Sequence, residues 1–201
     1  MSRRWLNERK NDPYYRWAQE QGYRSRAAFK LKQLDERFHF LREGKKVLDI
    51  GAAPGGWLQV SSEAVGEDGL VVGVDLNPIE PLGLPNVETI EGDILDDETQ
   101  TKIKRALNGK IDVVISDIAQ NVSGNWDLDQ YRQIELAEMS LNIASRLLKK
   151  NGWFIVKVFQ GSEYESYMKR VRTLFRKVKV VKPKASRKAS AEIYVVAQQK
   201  K

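Results

Sequence analysis

The sequence predicts an α/β fold in which a mostly parallel, doubly wound sheet carries helices on both faces. Two observations carry this expectation. Short apolar runs rich in β-branched residues alternate with longer segments of helical period. The first such run ends in a glycine-rich turn, residues 51–56, where open sheets of this kind hold their ligands. With 201 residues, 41% of them hydrophobic, the chain has enough apolar surface for one domain with a sizeable core.

The elements follow in order. Residues 1–23 are polar and aromatic, punctuated by Pro13 and Gly22, and are expected to form a partly ordered arm ahead of a single domain, 24–201. From Ser25 the spacing Ala27, Leu31, Leu34, Phe38 marks one helix face; Ser25 is placed to cap it and Gly44 lies beyond its end. Strands are expected at 46–51, 70–75, 87–90, 111–117 and 153–158. Helices are expected at 57–65, 96–107, roughly 128–149 and 163–176, the longest stopping at Asn151-Gly152. Two β-rich runs, 177–182 and 191–197, have no helix between them and so should pair antiparallel at one end of the sheet.

Charge is segregated along the chain. Residues 1–46 hold 13 basic and 6 acidic side chains, residues 47–144 hold 5 and 18, and residues 145–201 hold 16 and 3. Two basic ends thus flank an acidic middle. A polyphosphate partner or a solubilising surface accounts for such ends. The absence of cysteine excludes disulfides, thiolate zinc sites and cysteine nucleophiles. A single histidine, His39, excludes His-rich metal sites and disfavours a serine triad. No run approaches the roughly 18 apolar residues of a membrane span, and the first residues lack an apolar signal core. A soluble, cytoplasmic monomer is expected.

The turn at 51–56 is neither the dinucleotide pattern, because Ala53 replaces its second glycine, nor a P-loop, because no Lys-Ser/Thr follows. Gly51 permits the tight turn, and Gly55 and Gly56 permit close backbone approach. Asp75 and Asp93 close the second and third strands. In sheets of this kind such carboxylates accept hydrogen bonds from a ribose or an adenine, although most strand-end aspartates are ordinary turn residues. Two acids without a phosphate cradle suit an adenosine ligand lacking phosphate. S-adenosylmethionine, whose sulfonium is cationic, fits that description.

With these residues in view, the chain resembles the FtsJ/RrmJ (RlmE-like) family of RNA ribose 2′-O-methyltransferases. The resemblance rests on Arg24-Ser-Arg-Ala-Ala-Phe-Lys-Leu31, Gly51-Ala-Ala-Pro-Gly-Gly-Trp57, Ser116-Asp117 with Ser123-Gly124, and Val156-Lys157-Val-Phe159, and spans about residues 12–198. It implies a Rossmann-like S-adenosylmethionine-dependent methyltransferase fold of seven strands, the last antiparallel. It implies an RNA ribose 2′-hydroxyl as acceptor, most simply a uridine of large-subunit ribosomal RNA, naked or in the assembled subunit. The catalytic set it implies is Lys30, Asp117, Lys157 and Glu192; the implied cofactor contacts are Gly55, Trp57, Asp75, Asp93 and Asp117. Two departures stand out: Gln120 where the family usually has proline, and Phe29 where many members have tyrosine.

Taken on their own, these residues permit the implied chemistry. A lysine acts as a base only where burial or a neighbouring cation disfavours its charge. Lys157 lies inside the apolar run 153–159, either buried there or on the exposed face of an edge strand. Lys30 supplies the second cation or is an ordinary solvated lysine. Asp117 is placed to orient Lys157 and approach the sulfonium, and Glu192 to orient the acceptor ribose. No metal is implied. Arg3, Arg4, Arg9, Lys10 and Arg16 interleave with Trp5, Tyr14, Tyr15 and Trp17, a mixture that suits RNA stacking or stapling of the arm to the domain. Lys177, Lys179, Lys182, Lys184, Arg187 and Lys188 are expected to surround Glu192 and contact RNA. The same chemistry on tRNA, and a non-catalytic RNA-binding assembly factor, are the rival expectations.

Overall fold

The computed structural model describes residues 12–119 and 123–201. Its seven strands are β1 (Lys46–Ile50), β2 (Leu70–Asp75), β3 (Val87–Glu91), β4 (Ile111–Ser116), β5 (Leu148–Phe159), β6 (Phe175–Val181) and β7 (Glu192–Lys200). They form one sheet in the order β3-β2-β1-β4-β5-β7-β6. The first five pair in parallel, and β7 runs antiparallel to both β5 and β6. The expected antiparallel end of the sheet is present, with β7 inserted between β5 and the edge strand β6.

Six helices lie among the described residues: α1 (Pro13–Glu20), α2 (Ala28–Phe38), α3 (Gly56–Val65), α4 (Asp97–Leu107), α5 (Trp126–Leu147) and α6 (Tyr164–Leu174). Alternation along the strands decides what each face buries. Leu48, Val72, Val114, Phe154 and Val156 pack with Ile103, Leu141 and Val171 from α4, α5 and α6. Their neighbours Val47, Val71, Val113 and Ile155 pack on the opposite face with Leu31, Leu34 and Leu58 from α2 and α3. Each fully buried Leu, Val or Phe contributes about 1.5–3 kcal/mol; the central strands are covered on both faces, while the edge strands β3 and β6 keep exposed residues. No described helix is long and apolar enough to cross a membrane.

Several boundaries differ from the sequence expectation for identifiable reasons. Helix α2 begins at Ala28 without a side-chain cap; Ser25 instead packs against Gly56, which leaves no room for a side chain there. Helix α5 starts at Trp126, capped by Asn125, whose Oδ1 accepts from the Leu128 N–H at 3.3 Å. It ends at Leu147 and β5 follows at once. Asn151, at φ 65°, belongs to an irregularity in β5, where the register jumps from Ile111–Leu148 to Val113–Trp153.

Part of the expected arm is structured. Asp12 caps α1, accepting from the Tyr14 N–H at 3.1 Å, with Pro13 at the first helical position. Tyr14 and Trp17 pack on Phe29 of α2, with ring centroids 5.7 and 6.0 Å away. These two aromatics staple the helix to the domain. Arg3, Arg4, Trp5, Arg9, Lys10 and the departure at Gln120 lie outside the described residues.

Candidate active site

The chain leaves β1, turns to β2 and β3 on one side, and crosses back to β4 on the other. The crevice lies at this reversal, beyond the carboxyl ends of β1, β2 and β4. A cavity of about 460 Å³ opens there, lined by Gly51, Ala53, Asp75, Gly92, Asp117 and Ile118 among others. Asp75 holds the turn in place: its Oδ2 accepts from the Ala53 N–H at 2.9 Å and its Oδ1 from the Asn77 N–H at 2.8 Å. Arg24 closes the outer side, donating to the carbonyls of Pro54, Glu80 and Pro81 at 3.1, 2.5 and 2.7 Å.

Of the five residues expected at the cofactor, Asp75 and Asp117 line this cavity. Asp93 Oδ1 accepts from the Leu95 N–H at 2.9 Å, and its neighbours Gly92 and Ile94 form part of the wall. Gly55 caps α3 at φ 110°. Trp57 is buried, packs on Tyr194 and donates its indole N–H to the Ala27 carbonyl at 2.8 Å. Trp57 therefore fixes α2 against the glycine turn rather than facing the cavity.

Beside this cavity the structure brings together all four residues of the implied catalytic set. Lys157 Nζ lies 3.1 Å from Asp117 Oδ1 and donates to the Asp117 carbonyl at 2.7 Å. Lys30 Nζ reaches Glu192 Oε1 at 2.8 Å and Asp117 Oδ2 at 3.8 Å. Lys157 is only 5% exposed, which removes the edge-strand alternative: β5 has β4 on one side and β7 on the other. Lys30 and Glu192 are also largely buried, so Lys30 is no solvated helix lysine.

Burial alone would raise the Asp117 carboxyl. The Lys157 and Lys30 cations and the hydrogen bond from Tyr194 outweigh burial and hold it below the usual carboxylate range. The Tyr194 hydroxyl donates to Asp117 Oδ1 at 2.6 Å. Burial, then Asp117 and Glu192, push this phenol well above its ordinary value, so it stays a neutral donor.

A second cavity, of about 490 Å³, opens on the other side of the cluster and is lined by Arg26, Ala27, Lys30, Arg187, Ala189, Ser190 and Glu192. Asp117 faces the first cavity and Lys30 the second, so their ion pair sits where the two meet. Of the C-terminal basic residues, Arg187 lines the second cavity, and Lys182 braces its loop by donating to the carbonyls of Lys188 and Ser190. Lys177 and Lys179 do not surround Glu192. They pair with Gln198 and Val196 toward the far end of β7, because β6 runs antiparallel to it.

Sequence reasoning passed over Asp49. It is 1% exposed and neither carboxylate oxygen has a hydrogen-bond partner. Burial, then Asp117 and Asp75, push its carboxyl well above the usual carboxylate range. As pH rises past the ordinary value, the unfolded chain releases this proton and the folded chain keeps it. Stability is therefore lost through that window, by up to about 1.4 kcal/mol per pH unit. Asp49→Asn is expected to remove that loss. Denaturant unfolding should show the variant's advantage growing as pH rises past the ordinary carboxylate value; parallel curves would refute the assignment.

A doubly wound sheet with an acid-lined cavity at its switch point and a buried lysine-carboxylate cluster beside it defines a Rossmann-like fold with a candidate catalytic centre. Residues 23–200 match the FtsJ-like methyltransferase family. Two archaeal relatives, each called ribosomal RNA large subunit methyltransferase E, are closely similar. The protein from Methanothrix thermoacetophila is 54% identical over 92% of this chain and 71% of its own length. That from Methanococcus aeolicus is 50% identical over 96% and 72%. The crystal structure of a Plasmodium falciparum protein assigned as a ribosomal RNA methyltransferase superposes with a TM-score of 0.79 at 34% identity, covering 89% of this chain and 98% of that one. The chain belongs to the FtsJ-like methyltransferase family.

Proposed function

We propose that this protein transfers a methyl group from S-adenosylmethionine to a ribose 2′-hydroxyl in RNA, with a uridine of large-subunit ribosomal RNA as the acceptor. The observation that carries this reading is the buried Lys157–Asp117–Lys30–Glu192 chain lying between an acidic cavity and a basic one. The acidic cavity fits the cofactor. Asp75 and Asp117 line it, and the unpartnered Asp49 carboxyl lies beneath them, a donor set suited to a cationic adenosine ligand. Bound there, S-adenosylmethionine supplies an electrophilic methyl group on a cationic sulfur.

With the cofactor bound and its own Nζ in the neutral amine form, Lys157 would accept the proton of the ribose hydroxyl as that oxygen takes up the methyl group, ending as the ammonium paired with Asp117. Asp117 holds that Nζ in line and presents negative charge toward the first cavity. Lys30, fixed by Glu192, places a cation over the acceptor side and attracts the adjoining phosphate, while Arg26 and Arg187 extend the basic wall. Alignment supplies much of the rate, since a held near-attack geometry contributes roughly 7–11 kcal/mol. Both cavities and all four side chains come from residues 24–201 of one chain, so a single chain suffices to build the site.

The test offers labelled S-adenosylmethionine with unmodified large ribosomal subunits, naked large-subunit RNA and tRNA, followed by nucleoside digestion. Label on a 2′-O-methyluridine of the large-subunit RNA is expected. Label on tRNA alone overturns the substrate, and cofactor binding without transfer to any RNA favours the assembly-factor reading.

A further inference from the structure

We propose that the indole of Trp126 is the platform on which the base of the acceptor nucleotide stacks; this rests on the RNA ribose methylation proposed above. Trp126 is the first residue of α5, and its ring lies against Phe159 with centroids 5.9 Å apart and planes inclined by 18°. Phe159 covers one face of the indole, yet Trp126 remains 47% exposed. A second flat partner can therefore occupy the other face.

The position of the pair gives it a role. Phe159 is two residues beyond Lys157 on β5, so the two leave the sheet on the same side, about 7 Å apart along the strand. Phe159 is also the direct cross-strand partner of Glu192, whose side chain lines the second cavity. The aromatic pair thus stands one pleat outward from the proposed base. A nucleotide with its ribose at Lys157 and Glu192 and its phosphate toward Arg26 and Arg187 has its base left to place, and the indole is the exposed aromatic face beside it.

The platform is also held in place. Asn125 caps α5, and Asp129, from the first turn, accepts from the N–H groups of Ser123 and Gly124 and from the Ser123 hydroxyl at 2.7 to 3.2 Å. Every base has a π-face, so stacking anchors the nucleotide without reading its edges. This contact fixes the ribose in front of Lys157 and leaves sequence selection to RNA shape.

The experiment is a cycle in which the protein carries Trp126 or Trp126→Ala, and the RNA carries its acceptor base or an abasic ribose that keeps the 2′-hydroxyl. The RNA is a synthetic large-subunit fragment, and kcat/KM for methyl transfer is measured in all four combinations. Stacking predicts that Trp126→Ala loses roughly 5- to 150-fold on intact RNA. The abasic RNA should cost the wild type a similar factor, and the two changes together should cost no more than the larger alone. Trp126→Phe should recover most of the loss, with cofactor affinity and unfolding midpoint unchanged in both variants. Losses that multiply, or a Trp126→Ala variant equal to wild type, overturn the platform alone. A wild type that methylates no RNA overturns it together with the proposed function.

Discussion

Replacing Lys157 by alanine is expected to lower methyl transfer by about 100- to 10,000-fold, the span over which a positioned acid or base contributes, while cofactor affinity is retained. The amine lies on the sheet, 3.1 Å from Asp117, and does not line the cofactor cavity. Its loss therefore removes the proton acceptor without removing a wall of that cavity. Stability must be followed at the same time. Breaking a buried ion pair costs up to about 3–5 kcal/mol when the partner is stranded. Here Lys30 and the Tyr194 hydroxyl still face Asp117, so the loss should fall at or below the lower end of that range. Cofactor titration and unfolding curves separate the two effects. A folded, cofactor-binding Lys157→Ala protein that retains near wild-type turnover would remove Lys157 from the reaction.

The Asp117 carboxylate gives this prediction a pH counterpart. Its carboxyl is held below the usual range in the folded protein, so the stability it contributes is present above the unfolded value and lost as pH falls through the folded one. The Lys157 pair therefore matters most at neutral pH, and the gap between wild type and Lys157→Ala should narrow in acid.

The sheet was legible because its central strands are buried on both faces and so read as continuous apolar runs, and Lys157 was legible because a lysine interrupts such a run. By the same logic Asp49 interrupts Val47–Ile50 and was equally visible. Its signal is masked by the glycine turn that begins two residues later, beside which a strand-end acid is ordinary. Tyr194 lies two residues from Glu192 on one face of β7, but an aromatic in a strand is ordinary, and only the fold brings its hydroxyl onto Asp117. Asp93 and Trp57 were harder to place. A strand-end acid and a buried indole look alike in sequence wherever they stand, and here both bond backbone groups, as does Asp75, which lines the cavity. The first cavity lies where the glycine turn pointed, whereas the second was not readable, since α2 and the β6–β7 loop converge only in three dimensions. The early start of β5 was hidden because Asn151-Gly152 signals a break in either a helix end or an irregular strand.

Gly51→Ala is the other substitution with a large expected effect. Gly51 sits at φ 78°, where an alanine is strained by about 1–2 kcal/mol. Strain is the smaller part. A Cβ at this position would come 2.6 Å from the Ile118 Cβ and 2.8 Å from its Cα, so it meets backbone rather than a side-chain tip that can swing away. Ile118 follows Asp117, and both line the cofactor cavity. The added methyl must push this segment outward, which opens the cavity wall and shifts the carboxylate that holds Lys157. Displacement of about 1 Å in a reacting constellation costs on the order of 100-fold. Transfer should fall by at least that factor and cofactor affinity by about 10-fold or more. Gly44→Ala is the matched control: its φ is 71°, and nothing lies within 4 Å of the added Cβ. It should carry the same backbone strain without the clash, and leave cofactor affinity untouched. If the two variants lose cofactor affinity alike, backbone strain alone is responsible and the contact between the glycine turn and Ile118 does not set the site.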